Sequence, residues 1–194
     1  MKRFVDLAVS VSALIALVPV FLVIALLVWL DDGFPVLFRQ ERVGRNGELF
    51  TIHKFRTMAA SHGGPNFSVS GDSRITRIGG FLRRSKLDEL PQLFDVATGR
   101  MSLVGPRPEV PEYVEKWPIQ SRGIILSVRP GITDPASIEF RNESDLLSGQ
   151  QNPGEFYERV ILPRKVDLYV TYARRRTFLG DIRIIGRTLG AVFG

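Results

Sequence analysis

The chain has 194 residues, the length of one ordinary domain, and its 44% hydrophobic content excludes a generally disordered protein. It contains no cysteine and two histidines, which excludes a disulfide scaffold, a thiolate nucleophile and a cysteine-ligated metal, and argues against a histidine-rich zinc site. Arginine supplies 21 of the 26 basic residues, against 20 acidic ones, and this balance favours phosphorylated partners or an anionic membrane surface.

The first predicted element is a long apolar segment at the N-terminus. Between Asp6 and Asp31 lie 24 uncharged residues, which as a straight helix exceed the ~30 Å hydrocarbon core of a membrane. Pro19 predicts a kink in the middle. Both flanks are basic, so the positive-inside rule gives no asymmetry, and a segment that enters and leaves on one face satisfies both. We predict a re-entrant membrane helix hairpin over residues 1–31, with Trp29 as an interfacial anchor and a full span as the alternative.

Residues 32–176 are predicted to form one compact α+β domain, mainly helical, that sits on a membrane. Short apolar runs at 36–38 and 49–52 flank the sequence Gly-Arg-Asn-Gly at 44–47, which predicts a small β-hairpin. Residues 59–71 are rich in serine, glycine and asparagine, which predicts a mobile loop.

Apolar spacing predicts the helices of this domain. Ser85 is expected to cap a helix that begins at about residues 88–90, because serine at this position accepts a hydrogen bond from the first turn. The other predicted helices cover a short stretch around 75–82, residues 111–128 with interruptions, and most of 143–176.

The C-terminal residues 177–194 are predicted to form an amphipathic helix. Its apolar residues fall on one stripe, whereas Arg183 and Arg187 lie off it. A basic amphipathic helix is typical of a membrane interface, and docking on the domain is the alternative. The stripe consists of Phe178, Leu179, Ile182, Ile185, Leu189, Val192 and Phe193.

Two adjacent carboxylates, Asp88 and Glu89, are the first candidates for chemistry. Acidic residues are common in first helical turns merely because the helix dipole favours them there. Here, however, Arg83 and Arg84 lie just upstream, and Arg107 is fixed between two prolines downstream. A site that binds a phosphate at the arginines and a divalent metal between the phosphate and the carboxylates would explain why both kinds of charge lie together. This segment is therefore a candidate phosphate-handling site.

The predicted hairpin supplies further cations. On strand alternation, Lys54 and Arg56 share a face, and His53 falls on the opposite one. Taken singly, each cation is also explained as a solvated charge, and His53 is interpreted as structural.

Three stretches carry a specific pattern: Lys-Phe-Arg-Thr-Met at 54–58, Asp-Glu-Leu-Pro-Gln at 88–92 and Ser-Leu-Val-Gly-Pro-Arg-Pro at 102–108. On these residues the chain resembles the bacterial sugar transferases, the monotopic phosphoglycosyl transferases. The resemblance runs nearly end to end, and the chain looks like their minimal catalytic domain. Further matching stretches lie at 2–6, 40–47, 50–58, 82–93 and 129–133.

The resemblance implies an enzyme that moves a sugar phosphate from a UDP-sugar to undecaprenyl (polyprenyl) phosphate and releases UMP. It implies that Asp88 attacks the sugar-linked phosphorus and forms a covalent aspartyl phosphosugar, with Mg²⁺ beside Asp88 and Glu89. Glu89 is expected to support the metal or the leaving group. The implied location is the bacterial inner membrane, in contact with its lipids, with the catalytic domain 32–176 on the cytoplasmic face and no nucleic-acid partner.

The resemblance also assigns the cations. Lys2 and Arg3 are expected at the lipid phosphate or anionic head groups, and Pro19 is expected as the pivot of the re-entrant helix. The oligomeric state, the sugar and the glycan pathway are not predicted. The candidates for phosphate contacts are Lys54, Arg56, Arg83, Arg107 and Arg141.

Departures from the commoner pattern leave alternatives open. Val18 precedes Pro19 where many relatives carry serine, and Asp95 stands where asparagine is frequent. One alternative keeps the reaction but has the lipid phosphate attack directly while Asp88 only holds Mg²⁺. The other is a non-catalytic, membrane-anchored module that binds nucleic acid or anionic lipid through its arginines.

Overall fold

The computed structural model of the protein describes residues 1–59 and 71–193, with side chains described as far as Ala191. The fold is mainly helical with two small sheets, which confirms the predicted α+β class. The loop predicted at 59–71 lies almost entirely outside the described residues. The helices are α1 (Lys2–Ala16), α2 (Val18–Asp32), α3 (Arg77–Arg84), α4 (Gln92–Ala97), α5 (Pro111–Glu115), α6 (Ile119–Leu126), α7 (Pro135–Glu139), α8 (Glu143–Ser148), α9 (Pro153–Phe156), α10 (Leu162–Arg175) and α11 (Phe178–Phe193). The strands are β1 (Leu37–Val43), β2 (Leu49–Phe55), β3 (Ser102–Val104) and β4 (Gly131–Thr133).

The N-terminal helices α1 and α2 form a bent pair with an angle of 62° between them. Pro19 lies in the first turn of α2, where its missing N–H costs no helical hydrogen bond, so the predicted kink is confirmed. In the described part of the chain, no single helix has the length and apolar character to cross a membrane, although this bent pair does when its members are taken together. The re-entrant topology stays a prediction.

The first turn of α1 is bonded to the rest of the fold. The Arg3 guanidinium donates to the carbonyl oxygens of Val96 and Ala97 at 2.6 and 3.0 Å, at the end of α4. The Lys2 ammonium donates to the Val104 carbonyl at 3.0 Å and pairs with the Asp181 carboxylate on α11. The two cations predicted to meet lipid thus dock α1 on the domain, and their contact with head groups stays a prediction.

A large apolar surface remains exposed on α1, α2 and α11. On α2, Ile24 and Val28 are buried against Phe55 and Leu82, while most of the other apolar side chains are exposed. Trp29 is partly exposed and packs against Phe34, with ring centroids 6.1 Å apart. On α11, the exposed large apolar side chains among the described residues are Phe178, Leu179, Ile182 and Leu189. The predicted C-terminal helix is confirmed, and its place at a membrane interface stays a prediction, as does the division into segments 1–31, 32–176 and 177–194.

The predicted hairpin is confirmed as the antiparallel pair β1 and β2, which runs from Leu37 opposite Phe55 to Val43 opposite Leu49. Its turn contains Asn46 in the left-handed region, with φ of 60°. Two further three-residue strands, β3 and β4, pair in parallel and were not predicted. In the main core, side chains of α5, α6, α7 and α10 pack around Trp117 and Tyr169.

Two glycines bring the backbones of β3 and β4 into close contact: Gly105 directly follows β3, and Gly131 is the first residue of β4. A Cβ built on Gly131 would lie 2.7 Å from the Gly105 Cα, and closer still to other Gly105 backbone atoms. Backbone atoms cannot rotate away as a flexible side chain can, so this junction requires glycine.

We expect Gly131→Ala to lower the free energy of unfolding by about 1–3 kcal/mol or more, because overpacking against backbone forces the strands apart. Gly123→Ala is the matched control: Gly123 is an exposed position inside α6 with no atom within 4 Å of the added Cβ. It should be neutral or gain about 0.5–1 kcal/mol. Thermal unfolding in detergent measures both, and equal melting temperatures for the two variants would contradict the close approach.

Candidate active site

The adjacent carboxylates stand on a short 3₁₀ turn, Leu87–Glu89, between α3 and α4. Lys86 begins the turn in the left-handed region, with φ of 57°, a conformation that costs a non-glycine residue about 1–2 kcal/mol. The predicted cap at Ser85 is wrong: Ser85 ends α3, and its hydroxyl donates backwards to the Phe81 carbonyl at 2.9 Å. The reversal at Lys86, which the apolar pattern does not reveal, separates the two helices and presents Asp88 and Glu89.

Glu89 is the centre of an ion-pair cluster. Lys54, the penultimate residue of β2, donates from Nζ to Glu89 Oε1 at 2.9 Å. Arg107, held between Pro106 and Pro108, donates from Nη1 to Glu89 Oε2 at 3.2 Å and from Nη2 to Oε1. Residues distant in sequence, including two that were predicted as phosphate contacts, therefore converge on one carboxylate.

These charges shift the titration of the cluster. Burial alone would raise the pKa of Glu89, but the Arg107 guanidinium and the Lys54 ammonium hold it well below its usual range. Burial lowers the pKa of Lys54, and the Glu89 carboxylate opposes that shift. The Glu89 carboxylate raises the pKa of Arg107. Glu89 is therefore ionised and engaged by both cations throughout the physiological pH range.

Asp88 has the opposite environment. Its side chain is 8% exposed, and its Oδ1 is buried with no hydrogen-bond partner among the described residues. Burial, and then the neighbouring Glu89 carboxylate, raise the pKa of Asp88. Two adjacent carboxylates thus have opposite pKa shifts, an arrangement that assigns them different chemical roles. An unsatisfied, desolvated carboxylate oxygen is a reactive group, or a ligand for a cation.

Two other predicted cations, Arg83 and Arg56, lie at different places. Arg83 donates from Nε to the Thr57 hydroxyl at 2.8 Å; burial lowers its pKa, and the Asp88 carboxylate is the strongest opposing influence. Arg56 is buried and donates to the carbonyl oxygens of Asp32 and Gly33 at 2.6 and 2.8 Å, at the end of α2. It therefore fixes the exit from the helix pair. The Arg56 guanidinium is thus engaged by backbone carbonyl groups, and its contact with phosphate stays a prediction.

Glu89 and Arg107 line a cavity of about 440 Å³, a volume in the range of small-molecule sites. Its apolar lining residues, called the apolar wall below, come from α1, residues 90–93, both strands of the parallel pair and α11. Its polar and charged lining residues are called the polar wall, and Arg141 is an exposed member of this set. The apolar wall contains Val9, Leu90, Leu93, Leu103, Ile132 and Ile185. The cavity can therefore accept a molecule that has both charged and apolar parts.

Sequence reasoning missed two residues of the polar wall, Lys165 and Tyr169 of α10. They stand four residues apart and so share one face of the helix. That spacing was the available signal, but it was hidden within a long helical segment with no recognisable motif.

The fit to a metal ion can be judged from the carboxylates. Within residues 1–59 and 71–193, no three metal-binding side chains of the histidine, cysteine, aspartate or glutamate type form a group. Mg²⁺ needs no such cage, since it often binds one or two carboxylates together with substrate phosphates and water. The unpartnered Asp88 Oδ1 fits such a site, with Glu89 adjacent.

An amphipathic cavity beside a desolvated carboxylate and a cation cluster defines a class of site: one that handles a phosphorylated molecule with an apolar part. Comparison with known proteins identifies the family. The chain belongs to the bacterial sugar transferase family, whose model matches residues 1–194, and this confirms the resemblance.

Individual relatives cover nearly the whole chain. It is 35% identical over 194 residues to the UDP-glucose:undecaprenyl-phosphate glucose-1-phosphate transferase of Escherichia coli (strain K12), which covers 97% of this chain and 39% of that protein. It is 39% identical over 201 residues to the undecaprenyl-phosphate glucose phosphotransferase of Komagataeibacter xylinus, covering 97% and 35%. The exopolysaccharide production protein PSS of Rhizobium leguminosarum bv. phaseoli is 36% identical over 207 residues, covering 97% and 93%. The chain thus spans less than two fifths of the length of the first two relatives.

Proposed function

We propose that the protein transfers a sugar 1-phosphate from a UDP-sugar to undecaprenyl phosphate and releases UMP, as the first membrane step of glycoconjugate assembly. The names of the relatives from Escherichia coli and Komagataeibacter xylinus support the acceptor and the transfer. The observation that carries the proposal is Asp88, whose buried carboxylate oxygen has no described partner beside a cluster of phosphate-binding cations.

Asp88 is the proposed nucleophile. Its carboxylate attacks the sugar-linked phosphorus of the donor, an aspartyl–phosphorus bond forms, and the bond to the UMP oxygen breaks. The phosphate of undecaprenyl phosphate then attacks the same phosphorus, which releases the carboxylate and yields the polyprenyl diphosphosugar. A carboxylate is a weak nucleophile, but burial without hydrogen bonds leaves it unsolvated, and nearby cations reduce the charge on the phosphoryl group.

Glu89 and the cations prepare the site for this chemistry. Arg107 and Lys54 are preorganised by their shared carboxylate, so they require little rearrangement when phosphate charge develops. Mg²⁺, when bound, would neutralise the donor's diphosphate, and Asp88 and Glu89 are the carboxylates that would hold it. Arg83 is a further candidate, because the Asp88 carboxylate is the charge that most opposes the effect of burial on the pKa of Arg83.

The acceptor is a lipid, so the site must lie at a membrane surface. The exposed apolar faces of α1, α2 and α11 support a monotopic arrangement at the cytoplasmic face of a bacterial inner membrane. In that arrangement α1 and α2 enter the bilayer and return. The apolar wall of the cavity includes side chains from α1 and α11, which connects the proposed membrane face with the cation cluster.

The topology can be tested with single cysteines, because the natural chain contains none. We expect Phe4→Cys and Phe34→Cys, both at positions 74% exposed, to react with a membrane-impermeant maleimide from the same side of sealed vesicles. Ile119→Cys, 77% exposed on the catalytic domain, marks that side. Reaction of the first two positions from opposite sides would establish a full span and contradict the hairpin.

The activity is tested by incubating purified protein with undecaprenyl phosphate and a panel of UDP-sugars while UMP is measured. Release of UMP that depends on the acceptor and on one or a few donors is expected. Initial rates at varied donor and acceptor should give parallel reciprocal lines, because the covalent route separates the two half-reactions. Intersecting lines would favour direct attack by the lipid phosphate, and no release with any donor would refute the proposed function.

A further inference from the structure

The polar wall of the cavity contains a charge pair that the proposed reaction does not use. Lys165 of α10 and Glu143 of α8 lie 2.5 Å apart, and both line the cavity. Glu109 is 4.0 Å from the same ammonium group, and the Tyr157 hydroxyl donates to Glu109 at 3.1 Å. Lys165 is 6% exposed, so this group is built into the fold rather than placed on the surface.

Tyr169 stands one turn further along α10 and also lines the cavity. Its side chain is fully buried, and its hydroxyl has no hydrogen-bond partner in the described part of the chain. Buried hydroxyls are normally satisfied, and an exception requires a reason. Tyr172 on the same helix illustrates the usual case, because its hydroxyl bonds to the Val104 carbonyl at 2.9 Å and to Asp181 at 2.8 Å.

The charges around Lys165 indicate which part of a ligand this wall would bind. The ammonium pairs with Glu143 and lies near Glu109, so its charge is already compensated within the protein and it is a poor contact for a phosphate. Arg107 and Lys54 share the single carboxylate of Glu89, so they are the better contacts for a phosphate. A neutral group with hydroxyl or amide functions suits the polar wall around Lys165. The ammonium can donate a hydrogen bond to such a group, the carboxylate can accept one, and the phenol of Tyr169 can do either.

We propose that Tyr169, together with the Lys165–Glu143 pair, binds the sugar of the UDP-sugar donor and determines which sugar is accepted. This inference rests on the proposed function and adds to it the residues that select the substrate. The cavity joins the two parts physically, because Glu89, Arg107 and Tyr169 all line it, and its volume accommodates a hexose beside a phosphate.

The test compares Tyr169→Phe with Tyr172→Phe, the same change one turn along the same helix. The donors are UDP-glucose, UDP-galactose and their two N-acetylamino counterparts. The readouts are kcat/KM for each donor and the affinity for UMP, which lacks the hexose that is transferred. Tyr169→Phe should lower kcat/KM for the preferred donor by tenfold or more, reduce its preference over the others, and leave UMP affinity unchanged. Tyr172→Phe should lower the melting temperature and leave the donor preference unchanged.

A second variant, Glu143→Gln, should also reduce the donor preference, because it alters the other half of the proposed subsite. Tyr169→Phe should melt at or above the wild-type temperature, since the lost hydroxyl makes no internal hydrogen bond. A donor preference within twofold of wild type in both variants, or a parallel loss of UMP affinity, would overturn the sugar subsite alone. Failure of the wild-type protein to use any donor would overturn the proposed function, and the subsite with it.

Discussion

Asp88→Asn is expected to abolish UMP release while raising the melting temperature of the free protein. The amide cannot attack phosphorus, so turnover should fall by at least about 1,000-fold, as is typical when a covalent nucleophile is removed. The variant should nevertheless be more stable than the wild-type protein. Burial raises the pKa of Asp88 in the folded protein. At pH values above the pKa that Asp88 has in the unfolded chain, this group therefore lowers the stability of the fold. Acceptor-dependent UMP release and thermal unfolding at pH 7–8 measure the two effects.

Asp95→Asn provides the matched control, because it makes the same chemical change in the same segment. Asp95 is fully buried, but its two oxygens accept from the backbone N–H of His53 at 3.0 Å and pair with His53 Nδ1 at 2.8 Å. Its partner is His53 and not a member of the Glu89 ion-pair cluster, so its variant should retain activity within a few-fold. Asp88→Asn with near wild-type UMP release would end the nucleophile assignment.

Glu89→Gln is expected to impair both activity and stability. The substitution keeps the shape of the side chain but leaves Arg107 and Lys54 without their shared countercharge in a largely buried site. Removal of one partner from a buried ion pair typically costs about 3–5 kcal/mol. Turnover should fall on the order of 100-fold, because both cations lose the geometry that prepares them for phosphate. Thermal unfolding and UMP release measure the two losses.

The pH dependence separates this cluster from a general packing defect. The folded pKa of Glu89 is depressed, so its stabilisation is complete above the ordinary glutamate value of 4.5 and is lost as pH falls towards the folded pKa. The stability difference between wild type and Glu89→Gln should therefore shrink on acidification below about pH 4.5. A difference that stays constant down to pH 3 would contradict the ion-pair account.

The sequence predicted local features well where a few neighbouring residues determine the conformation. The glycines and asparagine at 44–47 specify the hairpin turn, and Pro19 determines the kink in the N-terminal segment. The charge pattern around Asp88 and Glu89 predicted a phosphate-handling site, which stays a prediction, and in the structure Arg107 pairs with Glu89. For the turn and the kink, the signal lies within the motif itself.

Features that depend on the rest of the fold could not be predicted from the sequence. Strands β3 and β4 have three residues each, too few for an alternating pattern, and their pairing depends on the glycine contact between residues 105 and 131. Ser85 has the composition of a helix cap, but the left-handed Lys86 after it makes it the end of α3 instead. The unsatisfied hydroxyl of Tyr169 can be recognised only once the neighbours of α10 are in place.

The most direct measurement of the central claim is mass spectrometry of the wild-type protein mixed with donor alone, without acceptor. Tryptic cleavage after Lys86 and Arg100 isolates residues 87–100, which contain Asp88. The account predicts that this peptide gains the mass of one sugar phosphate, that UMP appears in equal amount, and that undecaprenyl phosphate removes the adduct. Unmodified peptide from protein that turns over with both substrates would contradict it.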